Sequence, residues 1–592
     1  MVVHLHLLAM AGNVVRCHPP EVVFKGTYMN SYTSAMHNAD FSRRVEHNQR
    51  QLKARLADAY DYIVCGSGTS GSVVARRLAE NLDVRVLLIE AGGTDEVPSV
   101  IDASQWFVNL GGERDWQFQA QPNPHLHDRA IPLSMGKVLG GGASINVMVW
   151  SRGHSSDWDY FAREADDPAW NYASALATSR RIEDWQGAPD PLRRGTGGPV
   201  FVQPAPDPNP VAPAMLRAAA SLGLPVYDDQ NGAMMEGPGG AALANLCLDD
   251  GRRRSIFRGY VYPLMAQPNL TVLTHTHVLR VLLDGKRAVG VEVLHEGKVI
   301  RLGARHEVVL SLGAINTPKV LMLSGIGDTR QLNAQGIDVV QDLPGVGQNY
   351  QDHIMVSGCI WEYQHPQPPR NNAGESTFFW KSDPSLDVPD IQTFLAQIPI
   401  ATPEAQAMFQ PPAAAWSLLP GLVRPKSRGA ITLASANPMD APLIDSAALS
   451  DPEDLQALVR AVEFCRELGN SSAMAPFVRR EVMPGAMSRK ALESFVRNTA
   501  STVWHQSCTA KMGRDAMSVV DSQLRVYGIS GLRVADASIM PRVTTGNTMA
   551  PCVIIGERLG SLLTQTAEAE RETASARPMG RAFAVQRERA VD

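Results

Sequence analysis

The chain contains no run of ~18 or more apolar residues, the least that a membrane-crossing helix needs, so no transmembrane segment is expected. Val2 to Ala11 is mostly apolar but short, and no cationic region precedes it, which argues against a secretory signal. Cysteine is scarce and unpatterned: Cys17, Cys65, Cys247, Cys359, Cys465, Cys508 and Cys552 include no C-x-x-C pair. An odd, scattered set argues against a disulfide framework and a zinc-type cluster. No metal is expected, and the thiols fit a reducing, cytoplasmic compartment. Excess positive charge is also missing. Lys and Arg number 55 against 60 Asp and Glu, a net charge of −5, which offers no field for nucleic acid. There is no internal repeat. What remains is an ordinary globular composition, 44% hydrophobic and 19% charged over 592 residues, long enough for more than one domain.

The most informative segment lies near the front. Tyr62-Ile63-Val64-Cys65 is a short apolar, β-branched run that reads as a buried strand. Gly66-Ser67-Gly68-Thr69-Ser70-Gly71 follows at once, and the spacing predicts a helix over 72–81 and a second strand, Val84 to Ile89, ending in Glu90. The unit is βαβ with a terminal acid. Its glycines permit a tight turn and close backbone approach to a pyrophosphate, the helix N-terminus favours negative charge, and Glu90 can accept from a ribose 2′-OH. The unit predicts a dinucleotide and leaves open which one.

Later blocks narrow the choice. Gly136-Lys137-Val138-Leu139-Gly140-Gly141-Gly142-Ala143-Ser144-Ile145-Asn146 resembles the first signature of the glucose–methanol–choline (GMC) flavin oxidoreductases. Gly313 to Gly327 resembles the second, and Gly345 to His353 and Trp504 to Pro551 resemble further blocks of that family. The resemblance covers residues 60 to 565. It implies FAD, in a Rossmann-like α/β domain joined to an α+β substrate domain with an antiparallel sheet. It further implies FAD contacts from Gly66, Gly68, Thr69, Ser70, Gly71, Glu90 and Ala91, from Val138, Gly141, Asn146, Val147, Met148 and Val149, from Val278, and from Asp536, Ala537, Asn547, Thr548 and Met549. Read from the residues alone, Gly140 to Gly142 lets backbone pass close to a flat ligand and Asn146 can meet its polar edge, although a Gly-rich turn capped by Asn is the alternative. Some members join the flavin covalently to a His just before this Asn. Here that position is Ile145, which cannot form the bond, so non-covalent FAD is expected.

Among 15 histidines, His505 stands out by its company, Trp504-His505-Gln506, which matches the family's active-site His. Asn547 lies where the family has a second His or an Asn. The resemblance places both at the reactive face of the flavin. A neutral imidazole, titrating near physiological pH, can take a hydroxyl proton, and an amide can orient the hydroxyl. The expected reaction is oxidation of a primary alcohol to an aldehyde, with O2 or another acceptor reoxidising the flavin. The alternative is a non-oxidative FAD enzyme of the same fold, of the hydroxynitrile lyase or fatty acid photodecarboxylase type.

The expected division gives residues 59–158, 236–353 and 501–566 to the FAD domain and 159–235 and 354–500 to the substrate domain. Residues 1–58 form an extension of unknown role, and 567–592 a polar tail. Gly429 to Leu433 reads as a strand and Asp451 to Leu468 as an amphipathic helix; two Pro-rich stretches, Gln364 to Arg370 and Gln410 to Ala413, lie nearby. Trp361, Phe378, Phe379, Trp380, Phe394 and Trp416 are candidate pocket walls, with sheet core as the competing assignment. No anionic residue presents itself to bind a quaternary ammonium.

Overall fold

A computed structural model describes residues 39–575. It begins with a helix, α1 (Ala39–Ala54), inside the stretch whose role the sequence left open. Gln49, buried on α1, donates to the carbonyls of Met265 and Leu270, both at 2.9 Å, and accepts from Val272 N at 2.9 Å. Strand Leu270–Leu273 is the edge of the first sheet. The front of the chain therefore covers an edge whose backbone would otherwise stand unpaired. The apolar run at Val2 to Ala11 lies outside the described residues.

The first sheet has seven strands. Its core is parallel: β1 (Ala59–Cys65) lies between β2 (Val86–Ile89) and the long strand Lys298–Leu310. The long strand does two jobs. Its first half pairs antiparallel with Arg287–His295, and its second half pairs parallel with β1 and with Leu532–Val534. Ile63, Val64 and Cys65 are fully buried, as a strand covered on both faces requires. Between β1 and β2 runs α2 (Thr69–Ala79). It starts three residues earlier than its apolar spacing predicts, inside the glycine loop, where a Cβ on Gly71 would lie 2.0 Å from the Gly66 oxygen. The C-terminal helix Met549–Ser575 packs on α2 and is tied to it by Arg77 and Glu557 at 2.8 Å. That helix continues past residue 566 into the expected tail; residues 576–592 lie outside the described residues.

The second sheet has eight strands, all antiparallel, ordered Val478–Met483, Cys359–Tyr363, Ala415–Leu422, Ile391–Ala396, Ser376–Trp380 and Gly240–Leu243. Ile354–Val356 joins it to Ala500–Thr502. Two expected boundaries move as a result. Gly240–Leu243, assigned to the first domain, belongs to the second sheet, and Ala500–Thr502 straddles the cut at 500/501. The expected strand at Gly429 to Leu433 is Ala430–Thr432, and the expected helix is Pro452–Gly469, capped by the Asp451 carboxylate accepting from Glu453 N at 2.8 Å.

Candidate active site

A single cavity of about 1490 Å3 runs from the glycine loop at the carboxyl end of β1 to the inner face of the second sheet. It exceeds the ~300–1,000 Å3 of a pocket for one small ligand, so it has room for a dinucleotide and a second molecule. The glycine loop is built for backbone approach. Gly66 has φ +98°, and a Cβ there would lie 2.3 Å from the Ser311 carbonyl oxygen. Gly68 has nothing closer than that same oxygen at 4.0 Å, so its face is open. No side chain caps the N-terminus of α2, which leaves its amides to a ligand. Ser311, which lines the cavity, carries a buried hydroxyl without a protein partner.

Glu90 lines the same end, but its carboxylate is already engaged. It accepts from Ser67 N at 3.1 Å, from Ser67 Oγ at 2.6 Å and from Gly92 N at 2.9 Å. Burial raises its pKa, and these hydrogen bonds oppose the rise. It thus braces the loop from which it was expected only to reach a ribose. Asp536 behaves alike, accepting from Gly313 N at 2.9 Å and Thr317 Oγ1 at 2.6 Å.

Asn146 closes the cavity on a second side. Its Oδ1 accepts from Met148 N at 2.9 Å and from Arg253 Nη1 at 2.7 Å. Arg253 also donates to the carbonyls of Val100, Ala143 and Asn146. This buried guanidinium meets only amide and carbonyl oxygens among the described residues, and burial lowers its pKa to about 9. It fastens the Gly140–Asn146 loop from behind. The donor set, the open glycine face and the unpartnered Ser311 hydroxyl all fit FAD.

The far wall carries the titratable groups. Ile354–Val356 pairs with Ala500–Thr502 so that Ile354 faces Thr502, and Val503 N donates to the His353 carbonyl at 2.9 Å. That register sets the residue before one strand beside the residues after the other. Trp504 then turns through a left-handed conformation, φ +61°, with its amide held by Thr502 Oγ1 at 2.6 Å. His505 emerges from the turn into the cavity. Its amide donates to Asp352 Oδ1 at 2.9 Å, its Nδ1 meets His353 Nδ1 at 2.8 Å, and its Nε2 lies 3.4 Å from Asn547 Nδ2. Asn547 Oδ1 accepts from Gln392 Nε2 at 3.1 Å. Gly546 precedes it at φ +106°, where a Cβ would strike Ser151 Oγ at 2.4 Å. Thr545 N is held by Asp157 at 2.7 Å, a buried carboxylate paired with Arg424 at 2.7 Å.

Burial dominates the electrostatics. It lowers the His505 pKa from the ordinary 6.5 to about 3, so the ring is neutral well below physiological pH, contrary to the expectation of a group titrating near it. His353 is lowered in the same direction, by burial first and then by His505. Asp352 is raised to about 7 by burial, against hydrogen bonds from Thr502, His505 and Tyr350.

Most of the expected cofactor contacts line this cavity, including Thr69, Ser70, Ala91, Gly141, Val147, Val149, Val278, Ala537, Thr548 and Met549. Gly71, Val138 and Met148 do not. A Cβ on Gly71 would lie 2.0 Å from the Gly66 oxygen, so Gly71 serves loop packing, and Val138 and Met148 are buried behind the wall. Of the six aromatic candidates only Phe394 reaches the cavity. Trp361 and Trp416 stack in the core at 4.7 Å, and Phe378, Phe379 and Trp380 are buried on the sheet. Sequence reasoning missed His353, Asp352, Gln392 and Arg253 as members of the site. The first two closed a quoted block, and that position was the available signal. The Pro-rich stretches also prove to line the cavity, through Pro366, Pro368, Pro369 and Pro411.

Residues 60–355 match the N-terminal and residues 425–556 the C-terminal family model described as GMC oxidoreductase. The oxygen-dependent choline dehydrogenase of Paraburkholderia xenovorans strain LB400 is 36% identical over 532 residues, covering 85% of this chain and 94% of that protein. The crystal structure of pyridoxine 4-oxidase from Mesorbium loti superposes with a TM-score of 0.81 at 31% identity, over 86% of this chain and 99% of that one. The formate oxidase of Aspergillus oryzae RIB40, studied for modification of its FAD, gives 0.79 at 25% identity, over 87% and 100%.

Proposed function

The chain belongs to the GMC oxidoreductase family and is an FAD-dependent oxidoreductase, and from that premise we propose that it oxidises a primary alcohol to an aldehyde with His505 as the base. The observation that supports this reading is the His505–Asn547 pair, 3.4 Å apart, in the same cavity as the glycine loop. His505 Nε2 takes the hydroxyl proton. Asn547 Nδ2 lies beside that nitrogen and donates to the oxygen as negative charge grows on it. Gln392 holds the Asn547 amide in that orientation. FAD, when bound, supplies the acceptor for the carbinol hydrogen and its two bonding electrons, which leaves the C=O of the aldehyde. Ser67, Glu90, Asn146 and Arg253 hold the walls around it. Ile145 offers no nucleophile at this position, so FAD would be held without a covalent link, and O2 or another acceptor would take up its electrons.

Anaerobic stopped-flow reduction with an alcohol tests the proposal. His505→Ala is expected to slow alcohol-driven bleaching by ~10²-fold or more, the usual worth of a placed general base, with FAD content retained. Asn547→Ala is expected to lose less, because the base remains. Reduction of His505→Ala at the parent's rate removes His505 from the mechanism. A parent that no alcohol bleaches points to the non-oxidative alternative.

A further inference from the structure

The half of the cavity that faces His505 has a chemical character of its own. From Met355 to Leu419 its lining includes no Asp, Glu, Lys or Arg. Met355, Ala396 and Leu419 are buried and form a separate apolar cluster, against which Phe394, Ile400 and Trp504 pack. All six line the cavity. Met355 sits two residues from His353, on the strand Ile354–Val356 that follows it, so the apolar wall begins beside the ring that contacts His505.

Among the described residues, the only carboxylates lining the cavity are Glu90 and Asp536. Both lie at the dinucleotide end and are occupied by backbone and hydroxyl donors. Behind the substrate half, Glu375 is buried and withdrawn. Its oxygens accept from Asn209 N, Asn371 Nδ2 and Gln397 Nε2, and Gln397, not Glu375, lines the cavity. A cationic alcohol entering here would lose its hydration without meeting a counter-charge. Phe394 and Trp504 offer an ammonium only cation–π attraction, with no counter-charge beside it. An alcohol with a hydrocarbon body meets a wall of its own polarity and gains from burial.

We propose that the substrate is a neutral primary alcohol with an apolar body, and that this wall selects against quaternary-ammonium alcohols even though sequence relatives are named choline dehydrogenases. The assignment rests on the alcohol-oxidising reading above and specifies which alcohols that reading covers.

The test compares choline with its neutral carbon isostere, 3,3-dimethylbutan-1-ol, and with benzyl alcohol, on the FAD-loaded full chain. Dissociation constants come from the perturbation of the flavin spectrum under anaerobic conditions, and reduction rates from the same traces. The two neutral alcohols are expected to bind at least ~10-fold more tightly than choline, a tenfold difference being ~1.4 kcal/mol. Choline binding as tightly as its isostere, or neither neutral alcohol binding, overturns the proposal. If the neutral alcohols bind but none bleaches the flavin, the oxidation reading fails while the selectivity stands. Met355→Glu, which sets a carboxylate in the wall, is expected to shift the affinity ratio toward choline by ~10-fold or more. An unchanged ratio shows that this wall does not set the selection.

Discussion

His353 and His505 meet through their Nδ1 atoms at 2.8 Å, so one proton serves both nitrogens. The network assigns it. Gln392 Nε2 donates to Asn547 Oδ1, which turns Asn547 Nδ2 toward His505 Nε2. An amide nitrogen can only donate, so His505 Nε2 carries a lone pair and His505 Nδ1 carries the proton. His353 Nδ1 is the acceptor. His353 therefore selects the tautomer in which the cavity-facing nitrogen of His505 carries the lone pair.

A substitution at His353 tests that role. In His353→Phe the His505 Nδ1–H loses its acceptor, and a buried donor left unpaired costs ~1–3 kcal/mol. Flavin reduction is expected to slow by about tenfold or more, with FAD content and alcohol dissociation constant close to the parent's. His353→Gln, whose side-chain oxygen can accept, should recover part of the rate. Equal rates in the phenylalanine and glutamine variants show that the ring is only a packing group.

The contrast between loop and cluster explains what was legible in the sequence. The glycine loop could be read because its demand is local: Gly66 at φ +98°, packed against the Ser311 carbonyl, tolerates no side chain. The His353–His505 contact depends on strand Ile354–Val356 pairing with Ala500–Thr502 across some 150 residues, and no local pattern encodes that register. His505 and Asn547 were singled out through their motif and both line the cavity, while their pKa environment was not legible, since it depends on what closes over them. Five of the six aromatic candidates take the competing sheet-core assignment, and only Phe394 lines the cavity. Phe378 and Trp416 alternate in a sheet whose both faces are covered, so hydrophobicity could not tell cavity from core. The edge-covering role of α1 rests on one buried glutamine.

Ile145 leads to a prediction about attachment. It is buried and lines the cavity just before Asn146. Acid precipitation of the purified yellow protein should leave all flavin in the supernatant as intact FAD. Flavin remaining with the precipitated polypeptide would refute non-covalent binding.

Glu90 braces the glycine loop and is proposed also to reach the ribose, and its variants should separate the two. Glu90→Ala removes the acceptor for Ser67 N, Ser67 Oγ and Gly92 N together, which leaves buried donors unpaired at ~1–3 kcal/mol each. Loss of FAD affinity by tenfold or more and a lower melting temperature of the apoprotein are both expected. Glu90→Gln keeps one acceptor oxygen and should lie between. An apoprotein whose melting is unchanged while FAD affinity drops would confine Glu90 to the ribose.

Acid probes the burial of His505. His505 titrates near 6.5 in the unfolded chain and at about 3 in the folded one. Between those values the unfolded chain binds a proton that the folded chain refuses, so stability falls as pH drops below 6.5 and the loss is complete near 3. At pH 5 the cost is about 2 kcal/mol relative to pH 8, at 1.36 kcal/mol per pH unit. Asp352 works in the opposite sense. Its folded pKa of about 7 exceeds its ordinary 3.8, so its contribution grows as pH falls through that window. Asp352 and His353 are present in parent and variant alike, so the comparison leaves the contribution of His505 together with its effect on the His353 ring. His505→Asn should therefore lose less stability than the parent between pH 8 and pH 5, by about 2 kcal/mol in urea unfolding. Its absolute stability at pH 8 is free to differ, since only the slope carries the argument. Parallel stability-against-pH curves for parent and variant would mean that His505 takes up its proton as readily in the fold as outside it, and the neutral ring deduced from its burial would be wrong.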